Sequence, residues 1–224
     1  MLCKPVHRRG DFGQFSEFVK FKLHLKLDMK NALNLFFLFC CFYSIQAQEY
    51  SLAKIYNGKN LTGWKAPENN SWWVASKGCL TAKSSADKTG SILWTEKQFQ
   101  DFVLQIDFKM GDGVVDSGVF LRSENDQIQI GISGSLKRDM TGSPYIPNLR
   151  YPVEADGVGH ILKPKGWNTM KIKVLGSQYT VWLNNTKIMN YTSENMPPSG
   201  PIGLQLHPGN EMSISFKNIL LAEL

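Results

Sequence analysis

Several strand-like stretches of the sequence carry polar or aromatic residues at positions where a plain β-sandwich would have Thr, Ser or Lys. These residues are Arg122, Gln127, Gln129, Trp182, Gln205 and His207. Alternation places Gln127 with Gln129 on one face of their strand, and Gln205 with His207 on one face of another. Planar polar groups hydrogen-bond sugar hydroxyls, and aromatic rings stack on the apolar face of a sugar ring. The pattern therefore predicts a carbohydrate-binding sheet face, with an ordinary solvated face as the alternative.

Candidates for acid–base chemistry are few. Glu124 follows the strand that reaches Arg122, so we expect it at a strand end beside the predicted face. Asp116 stands at the entrance of the same strand, where an Asp-Ser pair more often makes a turn than supplies a nucleophile. Glu154 and Asp156 form a close carboxylate pair, but they lie in an irregular segment. Position alone therefore favours Glu124 as the acid or base.

Other common catalytic signatures are weak or missing. From residue 48 onward the chain has only His160 and His207, and the absence of a close His pair argues against a zinc cage. The sequence contains no Gly-x-Ser-x-Gly elbow and no Walker loop. The sequence therefore gives no support to a serine hydrolase or to a nucleotide-binding enzyme.

The basic charge of the chain is concentrated at its N-terminus. The formal net charge is +6, but residues 1–47 hold seven of the 25 Lys/Arg and three of the 19 Asp/Glu, which leaves 18 and 16 in residues 48–224. Because the remainder is nearly neutral, the charge gives little support to a nucleic-acid-binding function.

The N-terminal region has the layout of a targeting segment. A basic start at Met29-Lys30 precedes an apolar run over 32–42 and then Ser44–Gln48, which is typical of a secretory signal peptide cleaved near Ala47. The run is shorter than the ~20 apolar residues of a membrane span, and a buried helix or signal anchor is the less favoured alternative. A signal peptide works at the start of a chain, so we interpret 1–28 as an over-called upstream segment, 29–47 as the signal peptide and 48–224 as one domain. We expect an exported protein, periplasmic or secreted, without a membrane span in its mature form.

Hydrophobic alternation with a period of two dominates residues 48–224, whereas long helical patterns are absent. The clearest predicted strands are 101–110, 169–174, 179–183 and 211–217. We predict hairpin turns at Asn57-Gly58, Gly111-Asp112-Gly113, Gly176-Ser177 and Asn184-Asn185. About a dozen strands without crossover helices imply an all-β fold of two antiparallel sheets packed face to face. The segment 133–165, rich in Gly, Pro and polar residues, is an insertion of the kind that is usually functional or disordered.

Five short motifs follow one another along this domain. They are Tyr56–Trp64 (YNGKNLTGW), Asp116–Arg122 (DSGVFLR), Trp167-Asn168, Val181–Asn184 (VWLN), and the ending that combines Gly200–His207 (GPIGLQLH) with Phe216–Ile219 (FKNI). In this order they resemble the motifs of the 3-keto-disaccharide hydrolase family, formerly a domain of unknown function. The resemblance covers nearly all of residues 50–224.

The resemblance implies a concanavalin-like (lectin/glucanase) jelly-roll sandwich that hydrolyses glycosides whose glucose unit carries a 3-ketone. A ketone at carbon 3 acidifies the proton at carbon 2, so a base can remove it and expel the substituent at carbon 1, after which water adds. Such a site needs a base near carbon 2 and an electrophile near the ketone oxygen. It does not need the paired carboxylates of ordinary glycosidases. The Glu-x-Asp-x-x-Glu signature of laminarinase-type glucanases, which share this fold, is absent.

The sequence departs from the family pattern at one strand. Where YEVQILD is common in the family, this chain has Asp126–Ile132 (DQIQIGI), so the Glu is replaced by Gln127 and the Asp by Ile132. Asp116 replaces the usual Asn of the second motif and would restore a charge near the site. If the two lost carboxylates act elsewhere as base or metal ligands, this chain must use other residues or be inactive.

Pattern and resemblance together predict a set of site residues. The predicted catalytic residues, with His207 or Glu124 as the base, are His207, Glu124 and Asp116. The predicted substrate-binding residues, of which those on the insertion would close over the sugar, are Arg122, Gln127, Gln129, Gln205, Trp182, Tyr145 and Lys137. No cofactor is assigned, and a divalent cation with Asp116 or Glu124 as ligands is left open.

The predicted partner is a carbohydrate, and two further classes of function remain. A non-catalytic carbohydrate-binding module of the same sandwich is favoured by the carboxylates replaced at Gln127 and Ile132. The polar insertion and His207 favour the enzyme instead. A structural domain of a larger surface complex is the third alternative.

Overall fold

A computed structural model describes residues 50–224, which form one compact unit. The upstream segment 1–28 and the signal peptide 29–47, with its cleavage near Ala47, lie outside the described residues and stay predictions. The described elements are β1 (Ala53–Lys54), β2 (Trp64–Lys65), β3 (Trp73–Ser76), β4 (Cys79–Lys83), β5 (Ser91–Thr95), β6 (Phe102–Gly113), β7 (Asp116–Leu121), β8 (Gln127–Gly131), β9 (Pro144–Tyr145), α1 (Val158–Ile161), β10 (Asn168–Leu175), β11 (Gln178–Leu183), β12 (Thr186–Thr192), β13 (Ile202–Leu206) and β14 (Met212–Glu223).

The strands form two antiparallel sheets. The eight-stranded sheet has the order β12-β11-β10-β6-β14-β4-β3, with β1 also paired to β14. The six-stranded sheet has the order β2-β5-β13-β7-β8-β9. This arrangement confirms the predicted all-β jelly-roll sandwich.

The hydrophobic core lies between the sheets and follows the alternation in the sequence. In β6, Leu104 and Ile106 are fully buried, and in β8 the same holds for Ile128 and Ile130. Burying each such side chain stabilises the fold by about 1.5–3 kcal/mol relative to leaving it exposed. Because the apolar residues of β7, β8 and β13 must face this core, their alternate residues are turned to the outer face of the six-stranded sheet.

Two of the four predicted hairpin turns are confirmed. Gly176-Ser177 joins β10 to β11, and Asn184-Asn185 joins β11 to β12. Asn184 and Asn185 have φ angles of 49° and 72°, the positive values that a tight type I′ hairpin turn requires.

The two other predicted hairpin turns are wrong. Asn57-Gly58 lies between β1 and β2, which belong to different sheets. Gly111–Gly113 continue β6, and Gly113 pairs with Met212 of β14. The chain then passes at 114–115 from the eight-stranded to the six-stranded sheet. Gly113 has φ 79°, and a Cβ there would lie 1.8 Å from the carbonyl oxygen of Glu211, so glycine is needed for close strand contact rather than for a hairpin.

No helix within residues 50–224 is long and apolar enough to cross a membrane.

Candidate functional site

The outer face of the six-stranded sheet carries a row of three amide side chains, which we call the amide row: Gln127, Gln129 and Gln205. In the strand register, Gly118 of β7 lies between Gln129 of β8 and Gln205 of β13. A Cβ on Gly118 would lie 2.1 Å from the Nε2 atom of Gln127. The absence of a side chain at this position therefore lets the three amides converge above the middle strand.

A cavity of about 480 Å³ lies above the amide row. This volume falls within the range of about 300–1,000 Å³ that is typical of small-molecule sites. Apart from the amide row, its lining residues are Asp116, Ser133, Gly134, Ser135, Lys137, Tyr145, Tyr151, His207, Pro208, Gly209 and Asn210. Seven of the ten predicted site residues are thus brought together: Asp116, Gln127, Gln129, Lys137, Tyr145, Gln205 and His207.

Hydrogen bonds fix the amide row in place. The Nε2 group of Gln127 donates to Oε1 of Gln205 at 2.7 Å and to the carbonyl oxygen of Ser117 at 3.3 Å. The Nε2 group of Gln129 donates to Oδ1 of Asp116 at 2.8 Å. These hydrogen bonds restrict the rotation of the glutamine side chains before a ligand binds. The amide row, which forms the floor of the cavity, is therefore preorganised.

Asp116 is a buried carboxylate at the edge of this floor, with 3% of its surface exposed. Its Oδ1 atom accepts the bond from Gln129, and its Oδ2 atom accepts a bond from the backbone N–H of Gly134 at 3.0 Å. The Nδ1 atom of His207 lies 3.9 Å from Oδ2. Both carboxylate oxygens are therefore held by donors, as a buried carboxylate requires.

His207 follows β13 and is held beside Asp116 by the backbone. Its N–H donates to the carbonyl oxygen of Asp116 at 3.3 Å, and its Nδ1 atom lies 2.7 Å from the carbonyl oxygen of Pro208. A carbonyl oxygen can only accept, so Nδ1 carries a proton in that bond, and the neutral ring has its lone pair on Nε2. With 40% of its side chain exposed, His207 can present this lone pair to a ligand as a general base.

The 133–165 insertion forms one wall of the cavity and is held by its own hydrogen bonds. Its first part is a hairpin in which Ile132 pairs with Asp139 and the N–H of Lys137 donates to the carbonyl oxygen of Ser133 at 2.8 Å. Arg138 pairs with Glu154 at 2.5 Å, which ties this hairpin to the far end of the insertion. The insertion is therefore an ordered wall. The sequence interpretation of Glu154 as a loop residue is confirmed, and it does not line the cavity.

Two tyrosines of the insertion stand together in the wall. The rings of Tyr145 and Tyr151 meet edge to face with centroids 5.3 Å apart. Burial raises the pKa of the Tyr151 phenol, the adjacent Ser133 hydroxyl acts in the opposite direction, and the Asp116 carboxylate raises this pKa further. Tyr151 is therefore a protonated hydroxyl group close to the acidic part of the site.

Sequence reasoning missed Tyr151, Ser133, Ser135 and Asn210 as lining residues. Ser133 and Tyr151 lie in or beside the same irregular segment from which Tyr145 and Lys137 were predicted. The segment holds two tyrosines, Tyr145 and Tyr151, and its lack of periodicity gives no indication of which side chains turn toward the sheet.

The assignment of Arg122 to substrate binding is corrected by its position. Only 3% of its surface is exposed, and its guanidinium donates to the carbonyl oxygen of Gly176 at 2.7 Å, that of Pro197 at 3.1 Å and that of Gln100. It also pairs with Asp101 at 3.0 Å. Arg122 has φ 63°, so it leaves the extended conformation and the alternation that predicted its face no longer applies. Its donors are bound within the protein, and its role is structural.

Glu124 and Trp182 are also corrected, because neither lines the cavity. Glu124 is exposed in the turn between β7 and β8, beyond the end of β7 opposite to Asp116. Trp182 lies on β11 of the eight-stranded sheet, where it pairs with Lys171 and Lys187. Its strand alternation was correct, but it belongs to the other sheet.

Within residues 50–224, no group of three or more His, Cys, Asp or Glu side chains is placed to hold a metal ion. Of the two candidate cation ligands, Asp116 lines the cavity and Glu124 does not. Both oxygens of Asp116 already accept hydrogen bonds from the protein.

The sequence model of the 3-keto-alpha-glucoside-1,2-lyase-like domain matches residues 52–222, in agreement with the family resemblance of the motifs. A "putative glycosyl hydrolase" from Parabacteroides distasonis ATCC 8503 has a similar structure, with 24% identity, a TM-score of 0.59, and coverage of 74% of this chain and 96% of that one. A second protein of the same description and organism is 17% identical, with a TM-score of 0.59 and coverage of 77% and 94%. The Emp47p carbohydrate recognition domain is 16% identical, with a TM-score of 0.52 and coverage of 79% and 96%. At these identities the structural similarities show the fold. No curated protein sequence matches the chain.

Proposed function

The chain belongs to the 3-keto-alpha-glucoside-1,2-lyase-like domain family, and from this premise we propose that it cleaves glycosides whose glucose unit is oxidised to a ketone at carbon 3. The observation that carries the proposal is the pairing of His207 with Asp116 beside the amide row in one cavity. A base held next to hydroxyl-binding amides suits proton removal from a bound sugar. Family membership supplies the expectation of the ketone.

In the proposed reaction, Nε2 of His207 removes the proton from carbon 2 of the sugar. The electron pair of that bond moves toward the ketone at carbon 3 and then expels the oxygen substituent from carbon 1, which takes up the proton from the imidazolium. Water adds to carbon 1 of the resulting unsaturated ketone, and carbon 2 is protonated again. The sum of these steps is hydrolysis.

Asp116 has a positioning role in this scheme. Its Oδ2 atom lies 3.9 Å from Nδ1 of His207, so the carboxylate stands beside the ring that would take up the carbon 2 proton. The Pro208 carbonyl oxygen orients the ring through the same nitrogen. Both contacts involve Nδ1, which leaves the lone pair of the neutral ring on Nε2.

The substrate hydroxyls have suitable partners in the amide row. Gln205 accepts from Gln127 through Oε1, and its Nε2 group has no partner among the described residues. That group is therefore available to donate to a sugar oxygen. The rings of Tyr145 and Tyr151 add an apolar surface to the same wall.

The test is incubation of the domain with 3-keto-trehalose or a 3-keto-glucoside, with and without divalent cations or a chelator, followed by detection of 3-keto-glucose. We expect release of the keto sugar by the wild-type protein. Calorimetric binding of the same sugars without any product would contradict the enzyme and support a carbohydrate-binding module. The module is the second candidate because Gln127 and Ile132 replace carboxylates of the family pattern.

We further propose that the protein is exported, on the basis of the signal-peptide layout of residues 29–47. N-terminal sequencing of protein recovered from outside the cytoplasm is expected to begin near Gln48. A mature chain that begins before Met29 would refute both the signal peptide and the interpretation of 1–28.

A further inference from the structure

The cavity offers several hydrogen-bond donors but one free base. Gln127 donates to Gln205 and to the Ser117 carbonyl oxygen, so its amide protons are used within the protein. The other side-chain donors of the lining are the amides of Gln205 and Asn210, the ammonium group of Lys137 and the hydroxyl groups of Ser133, Ser135, Tyr145 and Tyr151. Removal of a proton next to a ketone places negative charge on the ketone oxygen, so one of these donors must stabilise that oxygen.

Tyr151 is a donor whose position is fixed by its neighbours. Its ring packs edge to face on Tyr145 at 5.3 Å, and its hydroxyl lies beside the side chain of Ser133. Ser133 is in turn held by the N–H of Leu136, which donates to its Oγ atom at 3.2 Å. A donor that is already oriented loses no free energy to reorganisation when charge develops, which is the condition for an effective oxyanion site.

Tyr151 also lies on the correct side of the cavity. Tyr151, Asp116 and His207 line the same cavity, and the N–H of Gly134, next to Ser133, donates to Oδ2 of Asp116 at 3.0 Å. Lys137, by contrast, is an exposed side chain at the tip of the insertion hairpin. The phenol and the base therefore flank the same part of the cavity, as carbons 2 and 3 of one sugar ring require.

We propose that Tyr151 is a catalytic residue that donates its phenol proton in a hydrogen bond to the ketone oxygen of the substrate. This role rests on the proposed function. When His207 removes the proton from carbon 2, the electron pair forms a carbon 2–carbon 3 double bond and the ketone oxygen becomes an enolate oxygen bonded to the Tyr151 hydroxyl. When the enolate collapses, the bond between carbon 1 and its substituent breaks and the ketone is restored. Tyr151 keeps its proton throughout.

The experiment measures enolate formation directly. A 3-keto sugar without a glycosidic substituent at carbon 1 is incubated with the protein in heavy water, and loss of the carbon 2 proton signal is followed by nuclear magnetic resonance. In parallel, kcat and KM are measured for a 3-keto-glucoside. We expect Tyr151→Phe to reduce both the exchange rate and kcat by about 10²–10³-fold, the usual effect of removing one oxyanion donor. KM is expected to change by less than threefold.

The matched control is Tyr191→Phe. Tyr191 lies on β12 beside Tyr179 and does not line the cavity, so loss of its hydroxyl should leave both rates unchanged. If Tyr151→Phe fails to fold, a fluorinated tyrosine at position 151 keeps the test open. Fluorine lowers the pKa of the phenol, and a deprotonated phenol cannot donate a hydrogen bond. The pH above which proton exchange is lost must therefore be lower in this variant than in the wild-type protein.

The outcomes separate this role from the proposed function. An active wild-type protein whose Tyr151→Phe variant exchanges and cleaves within threefold of the wild-type rates overturns the role alone. A pH profile unmoved by the fluorinated tyrosine overturns it as well. A wild-type protein that neither exchanges nor cleaves contradicts the proposed function, and the role of Tyr151 with it.

Discussion

The Nδ1 atom of His207 lies 3.9 Å from Oδ2 of Asp116, and a backbone hydrogen bond of 3.3 Å joins the same two residues. Asp116 is the first residue of β7 and His207 directly follows β13, its neighbour in the six-stranded sheet. Antiparallel pairing therefore brings the start of one strand beside the end of the other. Sheet pairing thus brings the two residues together, and the loop residues Pro208 and Gly134 hold their side chains.

Replacing the proposed base should abolish catalysis while the fold is kept. His207→Gln is expected to lower kcat on a 3-keto-glucoside by about 10²–10⁴-fold, the usual contribution of a general base. Steady-state rates and a thermal melt measure the two effects. His160→Gln is the control, since His160 is exposed on α1 and does not line the cavity. Activity of His207→Gln within twofold of wild type would exclude His207 as the base.

A carboxylate at position 127 should destabilise this chain. The Nε2 group of Gln127 faces three acceptors, the Oε1 atoms of Gln205 and Gln129 and the carbonyl oxygen of Ser117, at 2.7, 3.5 and 3.3 Å. Gln127→Glu replaces the donor by an acceptor, and we expect a loss of about 1–3 kcal/mol in the free energy of unfolding at neutral pH. Urea denaturation measures this loss.

The control for that substitution is Gln178→Glu, since Gln178 is exposed at the start of β11 and makes no side-chain hydrogen bond among the described residues. Its stability should change by less than about 0.5 kcal/mol. Equal unfolding free energies for Gln127→Glu and the wild-type protein would show that the amide row tolerates a carboxylate, contrary to the geometry.

Truncating Arg122 should cost stability first. Its guanidinium is buried and holds the β10–β11 turn through Gly176, the carbonyl oxygen of Pro197, and Asp101. We expect Arg122→Ala to lower the free energy of unfolding by about 3 kcal/mol or more, because the carbonyl oxygens of Gln100, Gly176 and Pro197 each lose a donor at a cost of about 1–3 kcal/mol. Chemical denaturation provides the measurement.

Arg150→Ala is the matched control for Arg122→Ala. Arg150 also has a positive φ angle, 59°, but its side chain is exposed, so the same truncation should cost little. An Arg122→Ala protein that is as stable as the wild type but inactive would contradict the structural role and indicate that Arg122 binds substrate.

Asp126 should make the stability of the domain depend on pH. Its side chain is buried, Oδ1 accepts a bond from the Tyr179 hydroxyl at 3.2 Å, and Oδ2 has no partner among the described residues. Burial raises the pKa of this carboxyl above its ordinary value of 3.8, against the opposing effects of Ser193, Tyr179 and Arg122. The folded state thus favours the protonated form. The resulting stability is complete below pH 3.8 and is lost as pH rises through the raised pKa.

Asp126→Asn removes this titration. Urea unfolding between pH 4 and pH 8 is expected to show a smaller fall of the unfolding free energy with pH in the variant than in the wild-type protein. Identical pH slopes for the two proteins would mean that Asp126 is not the group responsible.

Much of the site floor could be predicted because strands alternate. Gln127, Gln129, Gln205 and His207 were placed on one sheet face from sequence, and the structure brings all four to the cavity. Their strands are neighbours of β7 in the six-stranded sheet, and the buried Ile128 and Leu204 leave the amides only the outer face. The fold class follows from the same periodicity.

The errors have two physical causes. Alternation tells which face of a strand a side chain takes but not which sheet the strand joins, and Trp182 belongs to a hairpin of the other sheet. Arg122 has a positive φ angle, which no pattern of hydrophobicity reveals. Tyr151 and Ser133 belong to an insertion without a period, so their contact with the sheet depends on tertiary hydrogen bonds such as that from Gly134 to Asp116.

The most direct test of the account compares two glycosides that differ only at carbon 3, one carrying the ketone and the other the ordinary hydroxyl. Release of the carbon 1 substituent is followed for both with the wild-type protein and with His207→Gln. The account predicts cleavage of the keto-glycoside alone, and its loss in the variant, because only the ketone makes the carbon 2 proton removable by a histidine. Cleavage of both glycosides at similar rates, or of neither while both bind, would contradict it.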